Sequence, residues 1–472
     1  EVIGRRLDML SERCNEVLTT ASVIGRQFRF GVLMNLTDDV SEDMLLDVLD
    51  EALNARIVEE IPSDVGLYQF SHALMQETLV GEQSAARRVR LHARIAKALE
   101  STYGADAEDH ASELATHFTE AESILGVEKA IQYSVIAAER AFDAHAYDDA
   151  ETHFRQAHSL IQGRPEDEYT ARTLHGLGRL LAMSNIAIQE GWDLITAAFD
   201  IYVAEGNNEK AVQVAGTPVG FAGLHGTVDL TSKALDLLEP NSLDAGYLLA
   251  RQSIAFKDEF GDFERELQAL SRAMEIAQQY GDKRLEGRVN IHYGQHYELV
   301  GERQKVIEYC KKAAELARES NDPRFEHGAL WAVAKTHIEQ WETAAASSPI
   351  ARVSELMEGS RVPGWILEQD QIAWELACST GDWAGANTIS ANELERNGVE
   401  EIFVARKIQI QAHTGNELSE EERIDGITNL NSEFKKFKRD HSTVAPLFAA
   451  SLVTTGWIAA RDSCAMNRVI EM

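Results

Sequence analysis

Apolar residues recur three and four positions apart along most of this chain, the spacing that gathers them on one face of an α-helix. The first such stripe, Leu7, Leu10, Cys14, Val17, Leu18 and Ala21, predicts one amphipathic helix over residues 5–22. Val23 to Phe28 breaks it. Ser41 then stands as an N-cap before Glu42 and Asp43, and a second helix to about residue 55 carries Met44, Leu45, Val48, Leu49 and Leu53 on one side. Arg56 to Ile61 and Leu67 to Phe70 flank the turn signal Pro62-Ser63-Asp64-Val65-Gly66 and read as two short strands of a hairpin. Helices followed by a hairpin predict a winged-helix domain over residues 1–84.

An arginine-rich helical run from Ala85 to Glu100 predicts a connecting helix over residues 85–104. Beyond Tyr103 nearly all of the signal is helical, and it repeats. Ala273 to Arg284 aligns with Ala313 to Arg324 at a shift of 40, and the turn glycines Gly261, Gly301 and Gly381 fall at 40 and 80. Leu267, Leu270, Met274 and Ala277 follow one helical face, as do Val306, Cys310, Ala313 and Ala317. Neither helix of such a pair can bury its stripe alone, so stacking must supply the core. Ala138 to Ala157, with Tyr147, Ala150 and Phe154, resembles one tetratricopeptide unit. The fold class is therefore mostly α, a small winged helix followed by an α-solenoid of tetratricopeptide-like hairpins over residues 105–472. At about 40 residues each, about eight or nine hairpins fit, with the repeat signal weakest at 210–245, 340–365 and beyond 415.

Charge narrows the partners. The chain carries 45 Lys and Arg against 77 Asp and Glu, a net charge of −32, which opposes general affinity for nucleic acid or an anionic membrane. The helix before the hairpin bears Glu42, Asp43, Asp47, Asp50 and Glu51, so phosphate repulsion defeats docking in a DNA groove. Arg87, Arg88, Arg90, Arg94 and Lys97 form a concentrated basic stretch, which we read as a solvated or acid-paired face. Cys14, Cys310, Cys378 and Cys464 lie far apart, without the spacing of a zinc ribbon or a disulfide framework, and no apolar run is long enough to span a membrane. A cytoplasmic location is the expectation. The chain begins with Glu1 and reads as a piece of a longer protein.

The segment Phe70-Ser71-His72-Ala73-Leu74-Met75-Gln76-Glu77-Thr78-Leu79 carries a resemblance. Together with Arg6-Leu7-Asp8, Leu10-Ser11, Ala21 to Phe28 and Arg88, Leu91, His92 and Ile95, it resembles the winged-helix end of STAND proteins, signal-transducing AAA-type ATPases linked to nucleotide cyclases or LuxR-type regulators. The resemblance covers about the first 100 residues. It implies that His72 reaches back to a nucleotide phosphate in the resting state, where Ser71 and Ala73 replace the Met and Asp of the usual motif; alternatively, His72 caps the helix after the hairpin. It also implies that ATP or ADP is held by an upstream domain and that the repeats bind a protein or small effector. The output domain implied is a cyclase upstream or a LuxR-type DNA-binding module downstream. A free-standing scaffold without a nucleotide switch is the alternative.

No G-x-x-x-x-G-K-[ST] loop occurs, and Gly216, Gly220, Gly223 and Gly226 around Pro218 lack the strand and lysine of a phosphate cradle, so a loop or close helix crossing is the reading there. No nucleophile elbow or triad signature appears, and the expectation is no catalysis, no metal and no cofactor in this segment. His292 and His296 stand four apart on one helical face, without the glutamate of H-E-x-x-H, and read as groove-lining or packing residues. With Tyr297, Trp331, Trp341 and Trp374 they make the candidate partner groove, since aromatic anchors carry much of interface energy.

Overall fold

The computed structural model describes residues 7, 9–37, 40–183, 187–217, 224–357, 372–374, 376–378 and 380–397. Compactness divides the chain into two units, Glu1–Leu177 and Gly178–Met472.

In the first unit Ser11 interrupts the stripe that predicted one helix over 5–22. Its hydroxyl accepts from the Cys14 N–H at 3.1 Å and starts α1 (Glu12–Ile24), while its own N–H and O–H donate to the Glu51 carboxylate at 2.6 and 2.7 Å. Leu7 and Leu10 still join the core. Where the sequence suggested only a break, β1 (Gln27–Arg29) forms, because Phe28 is buried against Tyr68 and Phe70 with ring centroids 5.9 and 5.6 Å away. Then come α2 (Phe30–Leu36), α3 (Glu42–Asn54) capped by Ser41, β2 (Val58–Glu60) and β3 (Leu67–Phe70). The antiparallel sheet has the order β1-β3-β2, with Phe28 opposite Tyr68 and Val58 opposite Phe70. Alternation along β3 buries Tyr68 and Phe70 on one face, and fully burying a phenylalanine contributes about 1.5–3 kcal/mol.

The unit continues through α4 (Ala73–Gly81), α5 (Ala85–Tyr103), a 3₁₀ turn (Gly104–His110), α6 (Ala111–Glu120), α7 (Glu122–Leu125), α8 (Glu128–Asp143), α9 (Tyr147–Leu160) and α10 (Glu168–Met183), in which the boundary falls. The sequence reading closed its first domain at residue 84. The hydrophobic cluster that begins at Leu7 runs on through Leu91, Ile95, Leu114 and Phe118 to Ala137, so the sheet and these helices share one core.

The second unit is built of paired helices. After α11 (Ile188–Ala204), α12 (Asn208–Ala215) and α13 (Thr227–Leu235) the pairs become regular: α14 (Leu243–Phe260) with α15 (Phe263–Tyr280), α16 (Lys283–Leu299) with α17 (Arg303–Glu319), and α18 (Pro323–Glu339) with α19 (Thr343–Met357). The first helices start at 243, 283 and 323, and the second helices at 263, 303 and 343, followed by α20 (Trp383–Asn397), so the 40-residue period holds in space. Chain reversal inside each pair uses a left-handed residue, Gly261, Gly301, Trp341 or Gly381. The next N–H then bonds back to a carbonyl five or six residues earlier, as in Glu342 to His337 and Asp262 to Phe256 at 2.8 and 2.9 Å. Asp262, Asp282 and Asp322 cap the helices that follow. First helices also touch one another, α14 with α16 and α16 with α18, and form one layer. Gly220, Gly223, Pro218, part of the weak 340–365 stretch, and all units expected beyond 415 lie outside the described residues. Among the described residues no helix is long and apolar enough to cross a membrane.

Candidate functional site

The layer of first helices borders a half-open cavity of about 620 Å³. Its apolar lining comes from Val212 on α12, Leu237 and Leu238 after α13, and Leu248 and Ile254 on α14. Tyr247 and Arg251 from α14, Arg288 and His292 from α16, and Arg324 and Phe325 from the first turn of α18 also line it. Close approach of the helices at this point depends on Gly246, where a Cβ would come within 2.7 Å of Leu285 and 2.9 Å of Ile276.

Aromatic faces hold two of the arginines in place. The Arg251 guanidinium lies 4.4 Å from the ring centre of the fully buried Trp192, and its Nη1 donates to the Thr217 carbonyl at 2.8 Å. The Arg288 guanidinium sits 5.1 Å from the Tyr247 ring and 4.4 Å from the Phe325 ring, with Asp322 3.5 Å away. The Nε atoms of both are closed off from solvent and make no hydrogen bond. Burial, then the charges of Arg324 and Arg288, push Arg251 down to about 9; among the described residues no carboxylate pairs with it. Burial likewise lowers Arg288, although Asp322 opposes the shift. Burial pushes His292 down to about 3 against its hydrogen bond with Gln295, and Lys257, Arg288 and Arg251 add to the shift, so its ring is neutral at physiological pH. The lining thus sets three guanidiniums against two carboxylates, Glu209 and Asp244. Planar guanidiniums held on aromatic faces keep their N–H edges aligned, the arrangement that recognises carboxylate and phosphate groups.

The residues singled out from sequence are scattered by comparison. His292 lines the cavity, whereas His296, one turn on, bonds the buried Glu266 carboxylate at 2.8 Å and packs edge-on against Phe263. Among the described residues no group of three or more His, Cys, Asp and Glu is placed to hold a metal ion. Tyr297 stacks on Tyr309 with centroids 5.3 Å apart, and Lys305 lies over its ring. Trp331 carries Lys335 over its ring, Trp341 occupies the α18–α19 turn at 75% exposure, and Trp374 is buried with Trp383 and Ala386. Of the proposed groove residues, then, the cavity takes in His292. His72 stands exposed at the start of α4 and makes no cap hydrogen bond. Gly216 borders the cavity on α12, while Gly226 opens α13 in a left-handed conformation. On α5, Arg87, Arg90, Arg94 and Lys97 are exposed, and Arg94 donates to the Leu36 carbonyl at 2.8 Å.

Sequence reasoning did not assemble Arg251, Arg288 and Arg324. A usable signal existed in their near-repeat spacing of 37 and then 36 residues.

Fold and cavity together define a tetratricopeptide-like helical-repeat protein with a ligand-sized space beside its layer of first helices. No protein-family model and no curated protein matches the chain. Among solved structures it is similar to a Signal Transduction ATPase with Numerous Domains protein with a tetratricopeptide repeat sensor from Pyrococcus horikoshii. Identity is 13% over 83% of this chain and 64% of that one, with a TM-score of 0.36. It is also similar to a Rap protein complexed with competence and sporulation factor, at 12% identity over 82% of this chain and 94% of that one and a TM-score of 0.37. A circular tandem repeat protein aligns at 16% identity over 97% of this chain and 94% of that one, with a TM-score of 0.15. The chain spans about two thirds of the length of the Pyrococcus protein, 64%. Likenesses at these scores carry nothing about ligand, partner or mechanism.

Proposed function

We propose that this chain is the regulatory segment of a signal-transducing ATPase, in which the helical repeats bind an effector and the first unit passes the result to a nucleotide-holding domain upstream. The observation that carries the reading is the half-open cavity bordered by the first helices, of a size, about 620 Å³, that suits a small effector. Helices followed by the β2–β3 hairpin over residues 12–70 support a winged-helix reading, and the His72 ring after them is exposed. In this reading the chain does not itself turn over nucleotide. Effector binding shifts the parent between a closed ADP state and an open one, which requires different affinity for the two states. Replacing His72 with Ala in the intact parent is expected to leave the protein folded and raise its basal output. Unchanged resting output and unchanged ADP retention would show that His72 has a structural role alone and remove the proposed switch contact.

A further inference from the structure

The geometry points to a small organic anion, one carboxylate or phosphate group on an apolar body, as the ligand of the cavity bounded by Arg251, Arg288 and Arg324. This deepens the effector-binding reading above and rests on it. Three arginines supply the cationic lining, beside Glu209 and Asp244, with Asp322 3.5 Å from Arg288. They gather in a chain of net charge −32, which makes their convergence on one cavity a local departure from the protein's overall charge. Arg251 and Arg288 each keep an Nε donor closed off from solvent and without a partner, and a buried donor left unmade is costly. Stacking on Trp192 and between Tyr247 and Phe325 fixes both guanidinium planes before any ligand arrives, which reduces the entropy lost on binding. Val212, Leu237, Leu238, Leu248 and Ile254, which also line the cavity, accept an apolar body. A neutral His292 in the lining supplies a hydrogen-bonding edge without adding charge.

The test compares two probes that differ by one anionic sulfonate group, 1-anilinonaphthalene-8-sulfonate and 1-anilinonaphthalene, titrated by fluorescence into the whole chain. The sulfonate is expected to bind at one site per chain, at least tenfold tighter than the neutral body. Its affinity should fall at least tenfold in Arg288→Met and in Arg251→Met, with Arg288→Lys keeping part of it. Leu238→Trp fills part of the cavity while leaving every arginine in the sequence and should also abolish binding, which covers the case in which an arginine variant misfolds. Competition by phenyl phosphate against phenylacetate then ranks the two head groups. Equal affinity for the neutral probe, or undiminished sulfonate binding in the folded Arg288→Met and Leu238→Trp variants, would overturn the anion site. Anion binding that leaves the intact parent's output unchanged would instead sink the regulatory reading while the site stands.

Discussion

Gly294 on α16 and Cys310 on α17 provide a test of the helix pair that carries Arg288 and His292. A Cβ at Gly294 would come 2.4 Å from the Cys310 Sγ, while the Cys310 Cβ stays at 3.9 Å, so the obstruction is one sulfur atom. Cys310 is 0% exposed, and burial pushes its thiol up to about 12, so it behaves as a small apolar group with nowhere to rotate. Gly294→Ala gains about 1 kcal/mol of helix propensity, but overpacking a close crossing costs about 1–3 kcal/mol. At this separation the clash wins, and the variant should lose about 1–2 kcal/mol net. Cys310→Ala removes the sulfur and should lose about 1 kcal/mol through the void it leaves. In the double variant the new methyl group occupies the vacated space, so it should be near the parent in stability, a coupling of about 2 kcal/mol between contacting residues. The midpoint of urea unfolding by circular dichroism, read with an unchanged slope, measures each corner of the cycle. A double variant as unstable as the sum of its singles would refute the pairing of α16 with α17.

Trp341→Gly should stabilise by about 0.5–1 kcal/mol, because Trp341 has φ of 62° where Gly261, Gly301 and Gly381 fill the corresponding turns and it is 75% exposed; a lower thermal midpoint would contradict this. The first unit should weaken as pH falls from about 6.5 toward about 4. Burial depresses both His92 and His117, the latter to about 4, and their Nδ1 atoms lie 2.9 Å apart, so unfolded histidines take up protons there before folded ones do. Their contribution is fully present above the unfolded value and lost through the folded one, and a urea midpoint flat between pH 7.5 and 4.5 would argue against it.

The repeats were legible because two independent signals coincide. Apolar stripes at helical spacing identify the helices, and the turn at Gly261, Gly301 and Gly381 needs a left-handed residue that glycine accepts most easily. Trp341 stands at the same position in the period, and by residue type alone it reads as a groove anchor; its exposure follows from a backbone conformation that side-chain chemistry does not announce. Short-range signals failed where tertiary contact decided the outcome. β1 is three residues long with one buried position, Phe28, and its strand exists because β3 is there to pair with it. Ser11 ended an apolar stripe early because a cap and a carboxylate 40 residues away, Glu51, together outweigh another turn of helix.

The cationic site escaped for a geometric reason. Alignment at a period of 40 compares like positions, yet Arg251 is the ninth residue of α14, Arg288 the sixth of α16 and Arg324 the second of α18. Each successive helix contributes from about one turn nearer its N-terminus, as a cavity running obliquely across a layer of parallel first helices demands. Residues that share a period therefore do not share this site, and those that share the site are offset from the period. Asp322 ties the two descriptions together. It is the cap of α18, a position the period does fix, and the same carboxylate lies 2.7 Å from Arg284 and 3.5 Å from Arg288. The repeat's own capping residue thus orients one wall of the cavity, so the stacking that builds the core also sets the spacing of the positive charges.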